Sequence, residues 1–265
     1  MIVIEIIYTF AIMKDLKFIA IIPARYASTR FPGKPLAMLG GITVIQRVYD
    51  QVKKALDNVI VATDDERIYS HVHAFGGKAV MTGSHHRSGT DRCWEAYSLN
   101  GGNEDIVINV QGDEPFIQPE QIATIMQCFG DDTIDIATLV KPFPSSGDVS
   151  ALENPNAAKV VIDADMNALY FSRSIIPYMR GVDKALWPSQ HQYYTHLGMY
   201  AYRAIALQRV TQLQPSSLEI AESLEQLRWL ENGMKIKVGM SETSSIGIDT
   251  PQDLERAEEF LNQLH

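Results

Sequence analysis

FIAIIPARYASTRFPGKPL, residues 18–36, decides how the rest of the chain is read. Its first six residues, FIAIIP, form an apolar run with little alternation, the pattern of a strand buried on both faces. The run ends at Pro23, and the loop after it carries Arg25, Arg30 and Lys34, with Ser28, Thr29 and Gly33 between them. Arginine presents a planar fork of donors to phosphate oxygens, lysine a mobile point charge, and the N–H groups of a turn add further donors. Pro32 and Pro35 stiffen the loop. Three cations around small residues, directly after a buried strand, point to an anion site; the bland alternative is a solvated basic turn. The loop is neither a Walker A nor a GxGxxG sequence.

The pattern continues outward. NVIVAT (58–63), KAVMT (78–82) and DIVINV (105–110) read as further short strands, and residues 42–56, 65–75 and 90–99 carry helical periodicity between them. The expected fold class is therefore α/β, a mostly parallel, Rossmann-like central sheet with flanking helices. In such sheets ligands bind beyond the carboxyl ends of the strands, where the basic loop begins. After residue 130 the pattern turns β-rich: IDIATLVKPF (134–143), AKVVID (158–163), NALYFSR (167–173) and HLGMYAYR (196–203) read as strands with few helices between them. Residues 174–192, rich in Pro, Trp and Tyr, read as an excursion. Helical stretches follow at 217–232 and 250–263, with the strand KIKVGM (235–240) between them.

The totals narrow the function class. The 265 residues are 46% hydrophobic, enough for a full core in one large or two modest domains. A net charge of -9 argues against a nucleic-acid partner, which calls for a basic excess. Cys93 and Cys128 have no metal spacing and suit a reducing compartment. No apolar run reaches the roughly 20 residues of a membrane span. MIVIEIIYTFAIM, residues 1–13, contains Glu5 and lacks the basic start of a signal peptide. Residues 1–16 read as an N-terminal extension, of which residues 1–12 are either an added edge segment or an overcalled start.

Several residues can carry chemistry. In INVQGDEPFI (108–117), Gln111, Gly112, Asp113 and Glu114 follow directly on a buried strand. Carboxylates there need solvent, a partner or a metal, and Mg2+ takes oxygen ligands together with substrate phosphates. Asp113 is a metal ligand or a turn residue capping Pro115. In SSIGIDTPQDLE (244–255), Asp249 is a second such carboxylate or the N-cap of the helix that follows. In HHRSGTDR (85–92), Ser88, Gly89 and Thr90 either read a base edge or cap the next helix. Arg173, His196 and Tyr200 lie near strand ends, where they read a sugar acid or serve the fold.

Taken together, PARYASTRFPGKPL, ATDD, HRSGTDR, NVQGDEP, NPNAAKVVID, YFSRSIIP, HLGMYAYR, LEQLRWLENG and GIDTPQDLE resemble the 3-deoxy-manno-octulosonate cytidylyltransferases, or CMP-Kdo synthetases. The resemblance runs in order from about Lys17 to Glu259. It implies a nucleotidyltransferase fold with one domain over 17–265, its nucleotide-binding part at about 17–130 and 235–265 and a β-rich sugar-binding and dimer part at about 131–234. It implies CTP and Kdo as substrates, Mg2+ as cofactor, CMP-Kdo and pyrophosphate as products, a homodimer, and a cytoplasmic enzyme feeding lipopolysaccharide synthesis. It puts Arg25 and Lys34 on the triphosphate, Ser28 in the same loop, and Asp113 and Asp249 on the metal. Pro23, Ala24, Ser88, Gly89 and Thr90 fall at the cytosine, Thr63 and Asp64 at the ribose, and Gln111, Arg173, His196, Tyr200 and Glu222 at the sugar. Arg87 receives no role. A cytidylyltransferase for 8-amino-8-deoxy-Kdo or sialate, or a nucleotide-binding protein without catalysis, are the alternatives.

Overall fold

The structure is a computed structural model that describes residues 16–243 and 246–263. The segment read as an N-terminal extension lies, but for Leu16, outside the described residues. The chain separates into two compact units, one of residues 15–123 with 245–265 and one of 124–244.

In the first unit, β1 (Phe18–Ala24) is the central strand. The two-residue strands β2 (Met38–Leu39) and β3 (Ile42–Thr43) form a small hairpin. β1 pairs in parallel with β4 (Val59–Thr63) on one side and β6 (Ile106–Asn109) on the other, and β4 pairs in parallel with β5 (Ala79–Met81). Every residue of β4 and β6 is buried, as unalternating apolar runs require. Helix α1 (Val44–Lys53) buries Val44, Ile45, Val48, Tyr49 and Val52, one face at helical spacing. It starts at Val44 rather than 42 because Thr43 caps it, accepting from Gln46 N–H. Asp65 caps α2 (Glu66–Ala74) and Ser88 caps α3 (Gly89–Leu99) in the same way.

One apolar cluster of this unit positions the site. Leu39, Val44, Phe116, Ile248 and Ala257 are buried together, with Phe31, Ile246, Leu254 and Phe260 packed against them. Phe31 belongs to the basic loop, Phe116 to the turn after β6, and Ile248 to the segment before the C-terminal helix Pro251–Gln263. Burying these three side chains in one place brings three distant segments together. A backbone hydrogen bond from Ile248 N–H to Asp113 O, 2.8 Å, fixes two of them in register.

The second unit is the β-rich one. β7 (Ile136–Pro142) and the hairpin β8 (Lys159–Ile162) and β9 (Ala168–Ser172) precede the long β10 (Tyr194–Arg203). β10 runs antiparallel to β7 and meets β8 at Thr195. β11 (Ile236–Met240) pairs in parallel with β7, so residues 236–240 belong here rather than with the nucleotide-binding part that the sequence suggested. α4 (Ala204–Gln212), which the sequence reading passed over, buries Ala206, Leu207 and Val210. The stretch 217–232 is two helices, α5 (Ser217–Glu222) and α6 (Glu225–Glu231), because Ser223 turns left-handed at φ 51°. The excursion at 174–192 folds back through Trp187, which is buried with Leu152 and Tyr193. Among the described residues no helix is long and apolar enough to cross a membrane.

Candidate active site

The basic loop leaves β1 and closes on Tyr26, whose carbonyl accepts from Ser28 N–H and Gly33 N–H, both at 2.9 Å. Gly33 has φ 75°, and a Cβ there would stand 3.1 Å from the Tyr26 ring, so glycine is needed for both conformation and space. The Arg67 guanidinium stacks over the Tyr26 ring, 3.3 Å from its centroid. Arg67 is itself held by Asp65 through Nε at 2.9 Å and Nη2 at 2.6 Å.

This turn delivers Lys34 to two carboxylates. Its Nζ lies 2.6 Å from Asp113 Oδ2 and 3.2 Å from Asp249 Oδ1. Arg30 Nη2 approaches the same Asp249 oxygen at 3.1 Å. Asp113 is aimed by Gly112, where a Cβ would meet Pro23 O at 2.7 Å, so the turn after β6 rests directly on the end of β1. Asp249 is not the helix cap. Thr250 Oγ1 accepts from Asp253 N–H, and Asp253 Oδ2 accepts from the N–H groups of Asp249 and Thr250, which leaves the Asp249 carboxylate for the cleft.

Pro23, Ala24, Arg25, Ser28, Lys34, Ser88, Gly89, Gln111, Asp113 and Asp249 line this one cleft. Thr63, Asp64 and Thr90 do not. Thr63 is fully buried and accepts from Asp65 N–H at 3.2 Å. Asp64 is paired with Arg92 at 3.0 Å, and Thr90 is buried at the start of α3. Arg30, His86, Arg87 and Arg92 also line the cleft. In the sequence Arg30 is one of the loop cations with no separate role, and His86 and Arg92 of HHRSGTDR carry no expectation. The missing signal is a contact. Glu95 on α3 pairs with His86 Nε2 and accepts from Gly83 N–H at 2.7 Å, while Arg92 on the same helix donates to Thr82 Oγ1 at 2.6 Å. Burial works against a charged Glu95, but the hydrogen bonds from His86 and Gly83 outweigh it and hold the carboxyl below its usual range.

Two clusters in the second unit contain the other expected residues. Arg173 donates to three backbone carbonyls, of Glu222 at 2.6 Å, Pro155 at 2.8 Å and Ser223 at 3.0 Å. One N–H remains on each Nη for a ligand. Glu222 accepts from Ser172 Oγ at 2.7 Å and Arg173 N–H at 2.9 Å, so it brackets the end of β9. His196 and Tyr200 form the second cluster, with ring centroids 5.2 Å apart. Four residues along a regular strand span about 13 Å. The register of β10 against β7 slips between Leu197 and Tyr200, and this bulge brings the two rings together.

Thr138 Oγ1 lies 2.8 Å from Met199 O and 2.9 Å from His196 Nε2. The hydroxyl has one proton, the carbonyl takes it, and so His196 Nε2 carries a proton and donates. The imidazole keeps some exposure but sits between Phe171 and Tyr200, and desolvation pushes it down to about 4. The Tyr200 hydroxyl is buried beside the Thr138 hydroxyl, and burial pushes its pKa up. Gln226, outside the sequence reading, is 4% exposed, and its Nε2 has no partner. A buried polar atom left in this way is a place where a ligand or water belongs.

A parallel α/β unit with cations and two carboxylates converging beyond the carboxyl end of β1 suits a nucleotidyltransferase-type protein. The cytidylyltransferase family model matches residues 19–236. The chain is 64% identical over 248 residues to the 3-deoxy-manno-octulosonate cytidylyltransferase of Phocaeicola vulgatus, covering 94% of this chain and 98% of the relative. The enzyme of the same name from Bacteroides thetaiotaomicron is also 64% identical, over 93% of this chain and 98% of the relative. Among solved structures, a CMP:2-keto-3-deoxy-manno-octonic acid synthetase complexed with CTP superposes with a TM-score of 0.85 at 41% identity, over 94% of this chain and all of that one. The chain belongs to the 3-deoxy-manno-octulosonate cytidylyltransferase family.

Proposed function

We propose that this enzyme transfers CMP from CTP to the anomeric hydroxyl of Kdo and releases pyrophosphate. The observation that carries the reading is the meeting of Lys34, Asp113 and Asp249 at the end of β1, in a chain so close to enzymes of that name. Arg25, Ser28 and Lys34 hold the triphosphate, and Pro23, Ala24, Ser88 and Gly89 enclose the cytosine. Thr63 and Asp64 lie toward the ribose, and Thr90 belongs with Ser88 and Gly89 at the cytosine. Gln111, Arg173, His196, Tyr200 and Glu222 serve the sugar acid, and the unpartnered Gln226 amide supplies a donor to its hydroxyls.

The anomeric oxygen bonds to the α-phosphorus, the α–β bridging oxygen leaves with pyrophosphate, and the hydroxyl proton passes to solvent. Such chemistry rests on positioning and charge neutralisation. Arg25 and Lys34 neutralise the departing pyrophosphate, and the Phe31–Phe116–Ile248 cluster keeps the three segments aligned. Among the described residues no group of three or more His, Cys, Asp or Glu could hold a metal. Two carboxylates suit Mg2+, which usually completes its shell with substrate phosphates and water. Bound at Asp113 and Asp249, the ion would neutralise phosphate charge and lower the pKa of the attacking hydroxyl.

Leu169, Tyr178, Leu186, Ile205 and Ile220 of the second unit are exposed, which supports a homodimer formed through the β-rich part. The substrates suit a cytoplasmic enzyme, with lipopolysaccharide synthesis as the consumer. The test is pyrophosphate release with CTP and Mg2+, comparing Kdo, 8-amino-8-deoxy-Kdo and N-acetylneuraminate. Release with Kdo is expected. Release only with another sugar overturns the sugar assignment, and no release from folded, CTP-binding protein overturns catalysis.

A further inference from the structure

Lys34 makes contacts that a purely phosphate-binding lysine does not need. Its single Nζ stands 2.6 Å from Asp113 and 3.2 Å from Asp249. Only 12% of the side chain is exposed, whereas the two carboxylates are 30% and 47% exposed. Two anions converging on one point repel each other unless a cation lies between them. A lysine ammonium is a compact point charge on a flexible stem, so it can fill that place and also leave it. We propose that Lys34 is a displaceable placeholder that occupies the metal position until the triphosphate draws it away.

The inference rests on the assignment of Asp113 and Asp249 to the metal. Without nucleotide, an incoming divalent ion competes with an ammonium already seated on both carboxylates. A triphosphate offers Lys34 a partner of higher charge, and its departure leaves two carboxylates in need of a cation. The arriving ion then shares its shell between those carboxylates and the phosphates. Nucleotide and metal therefore raise each other's affinity, as linkage requires. Arg30, 3.1 Å from Asp249 but 65% exposed, adds only a screened contribution.

The test is Mn2+ binding to nucleotide-free protein, followed by electron paramagnetic resonance or calorimetry. Lys34→Met removes the competing charge and should bind Mn2+ about tenfold more tightly than the wild type. Lys34→Arg should stay weak, because it keeps a cation. Adding Asp113→Asn to Lys34→Met should abolish the gain. A lysine with a merely structural role would weaken binding or leave it unchanged. Equal Mn2+ affinity in wild type and Lys34→Met, with binding still lost in Asp113→Asn, overturns the placeholder and leaves the metal assignment standing. Absence of Mn2+ binding in every variant, with and without CTP, overturns both. Lys34→Gln serves as a second neutral variant if Lys34→Met does not fold.

Discussion

Asp113 and Lys34 face one another in the cleft, yet their loss should read differently. Asp113→Asn keeps the shape and removes one negative charge. Turnover should fall by about 100-fold or more, as for loss of a transition-state electrostatic contact, while the melting temperature stays put. More than a tenth of wild-type activity would remove Asp113 from the metal role. Lys34→Ala should raise KM for CTP more than KM for Kdo; steady-state kinetics with each substrate varied in turn decides it. Both residues stand out in the sequence because their charge types follow buried strands. That Lys34 touches both carboxylates is not legible there, since 79 and 215 residues separate the partners.

At the scale of elements, α3 supports the cleft through two side chains one turn apart. Arg92 holds Thr82 and Asp64, and Glu95 holds Gly83 and His86. Glu95→Gln weakens a charge-assisted contact worth about 1.5–3 kcal/mol. We expect KM for CTP to rise about tenfold with kcat nearly unchanged; an unaltered KM would show that His86 needs no such support. The α3 motif SGTDR was legible as a cap or base-reading segment. Arg92, three residues after the glycine of that motif, pairs with Asp64, a contact that the sequence does not show. In the second unit α4 escaped notice and 217–232 read as one helix. A short amphipathic stretch gives a weak periodic signal, and a left-handed Ser223 is set by what surrounds it.

For the molecule as a whole, stability should depend on His196. Its imidazole is held at about 4 in the folded protein, against about 6.5 when unfolded. The unfolded chain therefore takes up a proton first as the pH falls. The neutral histidine's contribution is complete above about pH 6.5 and is lost progressively down to about pH 4. The loss is at most about 3–4 kcal/mol, and less where the ring retains water. Denaturant titrations from pH 7 to pH 4 should show this slope in the wild type and a shallower one in His196→Gln. Equal slopes would place the acid sensitivity elsewhere.

The sequence by itself determined the α/β class, the parallel strands of the first unit, the β-rich second part and the family. Each of these rests on local periodicity or on contiguous motifs, which need no knowledge of distant contacts. Only the tertiary structure decided that Asp249 turns to the cleft while Thr250 takes the cap, that β11 joins β7, and that a bulge sets His196 against Tyr200. These depend on which segments a shared core draws together. Phe31, Phe116 and Ile248 are ordinary apolar residues until they are buried side by side, and the charges beside them then meet.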